Sequence, residues 1–112
     1  MSDKSVDRRW HSRFRLSLPI KLRRENGGEW ITGQTVDLSD GGALLSMPSH
    51  LVPPVGSRVS VELEVPESQT AAGQAVQVNS QAKVVRHQPG QVGELGVAIQ
   101  FMAPLDLGLV DE

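Results

Sequence analysis

An all-β architecture, a six-stranded antiparallel β-barrel, is the fold this sequence predicts, and three observations predict it. Apolar residues recur at every second position in several separate runs. Glycine- or proline-containing turns separate those runs. No stretch of ten residues carries a convincing helical period. An open sheet this small would leave long unpaired edges, so closure is favoured. With 112 residues the chain is one domain, 1–112. It divides into an arm (1–15), a barrel (16–101) and a C-terminal tail (102–112).

The arm has almost no apolar periodicity. From Leu16 the pattern changes to period two, and Leu16, Leu18, Ile20 and Leu22 share one face, as a half-buried strand requires. Pro19 has no N–H to donate, which points to an edge or an unpaired N–H side there. Asn26-Gly27-Gly28 signals a hairpin, with Glu29 to Val36 as the returning strand. After a break at Asp37–Gly42, Ala43 to Met47 forms a short third strand. Three prolines and a glycine make residues 48–56 a loop. Val59, Val61, Leu63 and Val65 alternate with polar residues to give the fourth strand, and the polar segment 66–73 follows as a connection. Residues 74–86 alternate again through Val76, Val78, Ser80, Ala82 and Val84. Pro89 to Gly93 is a turn, and Leu95, Val97, Ile99 and Phe101 end the series. The tail is long enough for a turn or so of helix and too short to cover much apolar surface.

The chain has no cysteine, which excludes disulfides and thiolate metal sites and makes a reducing cytoplasm the expected location. His11, His50 and His87 lack a regular metal-ligand spacing, so no metal is expected. No apolar run is long enough to span a bilayer, and no apolar signal stretch follows the N-terminus. Net charge is −2, but residues 1–24 hold eight of the eleven Lys and Arg against two acids, a net +6, and the remainder carries −8. An anion should be drawn to the N-terminal end and repelled elsewhere. In that basic stretch arginines outnumber lysines six to two, as suits oriented anion binding by planar forks.

Two polar clusters stand out from this pattern. Arg8-Arg9-Trp10-His11-Ser12-Arg13 supplies guanidinium groups that suit phosphate and the O6/N7 edge of guanine. Arg9 and Arg13 are four residues apart, close enough to bracket one ligand, and each fork on guanine is worth about 1–3 kcal/mol of discrimination. Trp10 can stack on a base or anchor the arm by packing. Asp37-Leu38-Ser39-Asp40-Gly41-Gly42 supplies a carboxylate for guanine N–H donors, a hydroxyl for phosphate or a second base edge, and a backbone that a flat base can approach at Gly42. A plain turn explains the same residues, because Asp and Ser favour side-chain-closed turns and the glycines permit positive φ. Together the clusters read as a site for a small anionic guanine nucleotide. No Ser–His–Asp order, phosphate-binding glycine loop or paired buried carboxylates can be assembled, so an enzyme is not expected.

Arg9-x-x-x-Arg13, followed after one hairpin by Asp37-x-Ser39-x-x-Gly42, resembles the two-part signature of the PilZ domain family. Leu16-Ser17-Leu18-Pro19-Ile20 is similar to the family's first strand, Ala82-Lys83-Val84-Val85-Arg86 to the strand before its last hairpin, and Leu95 to Phe101 to its closing strand. The resemblance runs from about Asp7 to Phe101. It implies a six-stranded barrel that binds the bacterial second messenger cyclic di-GMP without catalysis or cofactor. The implied ligand contacts are Arg9, Arg13, Asp37, Ser39 and Gly42. An arginine at the place of Arg8 is associated in the family with two intercalated cyclic di-GMP molecules. Many members also carry a C-terminal helix that this tail is too short to form in full.

The expected mechanism is that ligand closes the arm onto the barrel, and that a downstream protein reads the closed surface. One alternative is a PilZ-like adaptor that acts through protein contacts without ligand. Another is a small-barrel binder of single-stranded nucleic acid, which would want exposed aromatic platforms; Trp10, Phe14, Trp30 and Phe101 are the only aromatics, and the acidic body disfavours a long polyanion.

Overall fold

Residues 13–109 are described by a computed structural model. The alternating runs become six strands: β1 (Pro19–Arg24), β2 (Ile31–Leu38), β3 (Gly42–Pro48), β4 (Arg58–Val65), β5 (Val76–Pro89) and β6 (Glu94–Phe101). Every neighbouring pair is antiparallel, and the sheet closes in the order β1-β2-β3-β6-β5-β4, with β4 returning to β1. The six-stranded barrel is therefore as the sequence predicts.

Closure sets where Pro19 can sit. No strand is left as an edge, so the proline occupies the first position of β1, where a missing N–H interrupts least of the ladder. β5 is longest at 14 residues because it serves two neighbours in succession. Its first half pairs with β4 from Val76 to Lys83, and its second half pairs with β6 from Ala82 to Pro89. That stagger is the shear a closed barrel needs.

Side chains at alternate positions fill the interior. Ile20, Leu22, Leu45, Met47, Val59 and Val97 are fully buried there, among others. Each such side chain contributes about 1.5–3 kcal/mol relative to exposure. Leu16 and Leu18 lie before β1 yet pack against this core, as their phase predicts. Thr35 holds them in place. Its buried hydroxyl donates to the Leu16 carbonyl and accepts the Leu18 N–H at 2.8 Å, while its own N–H donates to the Leu18 carbonyl at 2.9 Å.

The two ends of the barrel are closed differently. The β3–β4 connection runs across one end, with Pro53 buried and its carbonyl 2.9 Å from His87 Nε2. The tail after β6 closes the other, and here the structure departs from the expectation. The described part of the tail contains no helix, yet Leu107 is buried and Leu105 and Leu109 pack against the core. An extended tail reaches farther per residue than a helix, so eight residues suffice to span the opening. Its backbone is anchored where the Leu105 N–H donates to the Asp40 carbonyl and the Ala71 N–H donates to the Gly108 carbonyl. Among the described residues no helix is long and apolar enough to cross a membrane.

If the tail is part of the core, Leu107→Ala should destabilise the protein by about 2–3 kcal/mol through lost burial and a residual cavity. Urea unfolding monitored by circular dichroism measures this, and a loss below ~0.5 kcal/mol would return the tail to a surface role.

Candidate functional site

The site begins with two irregularities of strand register. In β2, Thr35 pairs with Leu45 but Asp37 pairs with Leu44, so Val36 is an extra, bulged residue. In β5, Val84 pairs with Ile99 but Arg86 pairs with Ala98, so Val85 is the extra residue. Each bulge turns two successive side chains outward and then restores the alternation. Val36 and Val85 are accordingly exposed, while Leu38 returns to the core.

The ladders between these bulges align one transverse row on the outer face: Asp37 on β2, Leu44 on β3, Ala98 on β6 and Arg86 on β5. A carboxylate stands at one end and a guanidinium at the other, with two apolar side chains between. Leu44, Ala98 and Arg86 of this row line a groove of about 500 Å³ together with Arg13, Ser39, Gly42, Val85 and Gln100, and Asp37 stands beside it, paired with Arg13. The groove's apolar floor suits the face of a flat ring, and its rim offers donors and acceptors.

Arg13 reaches the groove because the chain beside it is pinned. The Phe14 N–H donates to the Leu38 carbonyl and the Leu38 N–H donates to the Phe14 carbonyl, both at 2.9 Å. This one-residue bridge sets Arg13 Nη1 3.5 Å from Asp37 Oδ1, the one ion pair among the described residues. The Arg13 side chain is 66% exposed and that of Asp37 19%. At that exposure the pair is worth at most about 1 kcal/mol. Its length also exceeds that of a charge-assisted hydrogen bond. A guanidinium has five donors and a carboxylate two oxygens, so a single contact leaves both able to engage a ligand.

Ser39 and Gly42 build the turn itself. Ser39 is buried, and its hydroxyl accepts from the Gly41 and Gly42 N–H groups and donates to the Gly42 carbonyl, each at 3.2 Å. The turn reading thus accounts for the hydroxyl's hydrogen bonds, and its place on the groove wall is what a ligand contact would use. The glycines are needed for a different reason than positive φ: neither Gly41 nor Gly42 has one. A Cβ on Gly42 would lie 2.2 Å from the Ile99 carbonyl oxygen, so the close approach of β6 demands glycine there. Asp40 faces the other way. Its Oδ1 accepts the Leu107 N–H at 3.1 Å, tying the turn to the tail.

Of the residues expected at the site, Arg13, Asp37, Ser39 and Gly42 come together here, whereas Arg8, Arg9 and Trp10 lie outside the described residues. The sequence reading missed Arg86 and Gln100. Its signal for Arg86 was the adjacent Val84-Val85 pair, which breaks a strict alternation just where the bulge falls. Trp30 offers no bare platform, since the Arg23 guanidinium lies 4.7 Å from its ring centre. Among the described residues no group of three or more His, Asp or Glu is placed to hold a metal.

Comparison with known proteins bears on the family and the fold. The PilZ domain family model matches residues 7–111. No curated protein matches the chain. Among solved structures, the Bacillus subtilis inhibitor of motility (MotI/DgrA) superposes with a TM-score of 0.69 at 17% identity, covering 84% of this chain and 42% of that one. The chain therefore spans less than half of that protein's length. The PilZ domain of CeSA from a cellulose-synthesizing bacterium superposes with a TM-score of 0.55 at 21% identity, covering 82% of this chain and 81% of that one. At these identities the likeness is one of fold.

The two kinds of site residue should respond differently to substitution. Gly42→Ala should cost about 3 kcal/mol of stability, the upper end for overpacking, because the β6 backbone at Ile99 must move. Asp37→Asn should cost less than ~1 kcal/mol. Chemical denaturation of the two variants side by side checks this, and equal stabilities would mean that the β3–β6 approach is not enforced.

Proposed function

The chain belongs to the PilZ domain family, and from that premise we propose that it is a non-catalytic receptor for cyclic di-GMP, acting in the bacterial cytoplasm. The observation that carries this reading is the convergence of Arg13, Ser39 and Gly42 on one groove with an apolar floor, with Asp37 beside it in an ion pair with Arg13. Guanine presents N–H donors on its Watson–Crick edge and acceptors at O6 and N7, so it complements a carboxylate and a guanidinium held side by side. The cyclic phosphates bring the negative charge for which the basic N-terminal stretch is suited.

In this mechanism Asp37 accepts from a guanine while Arg13 turns from Asp37 to a phosphate or a base edge. Arg9, four residues earlier, supplies the second fork of the same motif, and Arg8 and Trp10 add a phosphate contact and a stacking face. The Phe14–Leu38 bridge is the fixed point about which the preceding residues are drawn onto the groove. Two intercalated ligand molecules would use Arg8 as well. The surface made by ligand and arm together is then read by a downstream protein. No cofactor is required, since the chemistry is recognition alone.

Isothermal titration with cyclic di-GMP, cyclic di-AMP and GTP tests the assignment. We expect selective binding of cyclic di-GMP and at least a tenfold loss in Arg13→Ala, through removal of a charge-assisted fork. Unchanged affinity in that variant would falsify the assignment of Arg13. No binding of cyclic di-GMP by the unmodified protein would remove the receptor reading and leave a ligand-free adaptor.

A further inference from the structure

We propose that Arg86 is a further ligand-binding residue on the far wall of the groove. It would grip a pair of acceptor oxygens or nitrogens at the end of the ligand remote from Asp37. The inference rests on the cyclic di-GMP reading and adds to it a residue outside both sequence clusters.

Register supplies the first argument. Arg86 stands in the same transverse row as Asp37, three strand spacings away across Leu44 and Ala98. At 4.7–4.9 Å per spacing Asp37 and Arg86 are about 14 Å apart along the curved sheet. A ligand lying on the apolar floor between them meets a carboxylate at one end and a guanidinium at the other. That polarity fits a molecule with N–H donors at one end and phosphate or a guanine O6/N7 edge at the other. A cyclic dinucleotide has this character, and a single small anion does not.

The bulge at Val85 supplies the second. Without it, the alternation that buries Val84 would direct Arg86 into the core. With it, Arg86 faces outward and lines the groove with Arg13. Its side chain is also available. Arg13–Asp37 is the one ion pair among the described residues, and the side-chain hydrogen bond Arg86 makes there is from Nη2 to Gln88 Oε1 at 2.9 Å. A neutral amide holds a guanidinium far less firmly than a phosphate or a bidentate guanine edge would.

The experiment is titration of cyclic di-GMP into the full chain and into Arg86→Ala, Gln88→Ala and Arg13→Ala, with thermal midpoints recorded for each. Arg86→Ala should bind at least fivefold more weakly with an unchanged midpoint, and Gln88→Ala should bind as the unmodified protein does. Competition with cyclic di-AMP separates the two acceptor sources. A phosphate contact weakens both dinucleotides alike, and a guanine contact weakens cyclic di-GMP alone. Undiminished affinity in Arg86→Ala, with Arg13→Ala impaired, would sink this inference and spare the receptor reading. An equal loss in Gln88→Ala would also sink it, by making Arg86 part of a structural row. Absence of binding by the unmodified chain overturns both.

Discussion

Burial of charge is the constraint on which the rest of this structure depends. Carried without interruption, the period-two alternation of β2 and β5 would aim Asp37 and Arg86 into the barrel interior. A charged group in that interior costs many kcal/mol unless paired, and these two are too far apart across the sheet to pair. One extra residue in each strand removes the conflict, at Val36 and at Val85. The same two bulges return Leu38 to the core and place a carboxylate and a guanidinium on one outer row. The groove is thus the outward consequence of keeping the interior apolar.

A second constraint concentrates the chain's loose ends at one mouth of the barrel. The Phe14–Leu38 bridge brings in the N-terminal segment, the Ser39 hydroxyl closes the turn, and Asp40 binds the tail through the Leu105 and Leu107 N–H groups. Three segments far apart in sequence meet within four residues of the turn. Any ligand that displaces Asp37 or the glycines acts on backbone that is hydrogen-bonded to both the arm and the tail. Asp40 therefore has a structural task distinct from that of Asp37, although the two are only three residues apart.

Most of the barrel is legible in the sequence, because its interior positions are simple. Val59 to Val65 alternates without a fault and its inward residues are the buried ones, and Val97, Ile99 and Phe101 keep the same phase in β6, where the outward Ala98 is covered as well. Closure is legible too, from strand number and the absence of a helix to cover an edge. What escaped were the places where alternation fails. Val36 and Val85 look like ordinary strand residues until partner strands fix the register, and Arg86 looks like a strand end when β5 in fact runs on to Pro89. The tail escaped for a related reason: Leu105, Leu107 and Leu109 alternate, but neither strand pairing nor helix flags them. Gly42 was singled out for the right position and a different cause. The neighbour that demands glycine there is the Ile99 carbonyl, which only the fold brings near.

The residues of the site divide by what they owe to the fold. Ser39 and Gly42 are fixed by hydrogen bonds and by the close approach of β6, and they would be required of a barrel that bound nothing. Arg13, at 66% exposure, contributes little to stability and has no comparable structural reason to be arginine. Its presence beside Asp37 is therefore the better argument for a ligand, even though the turn carries the more conspicuous sequence pattern. By the same reasoning, a barrel of this kind can lose its ligand through its arginines alone and keep its shape. The turn would persist with every ligand contact gone, so the receptor reading stands or falls on the guanidinium groups and not on the glycines.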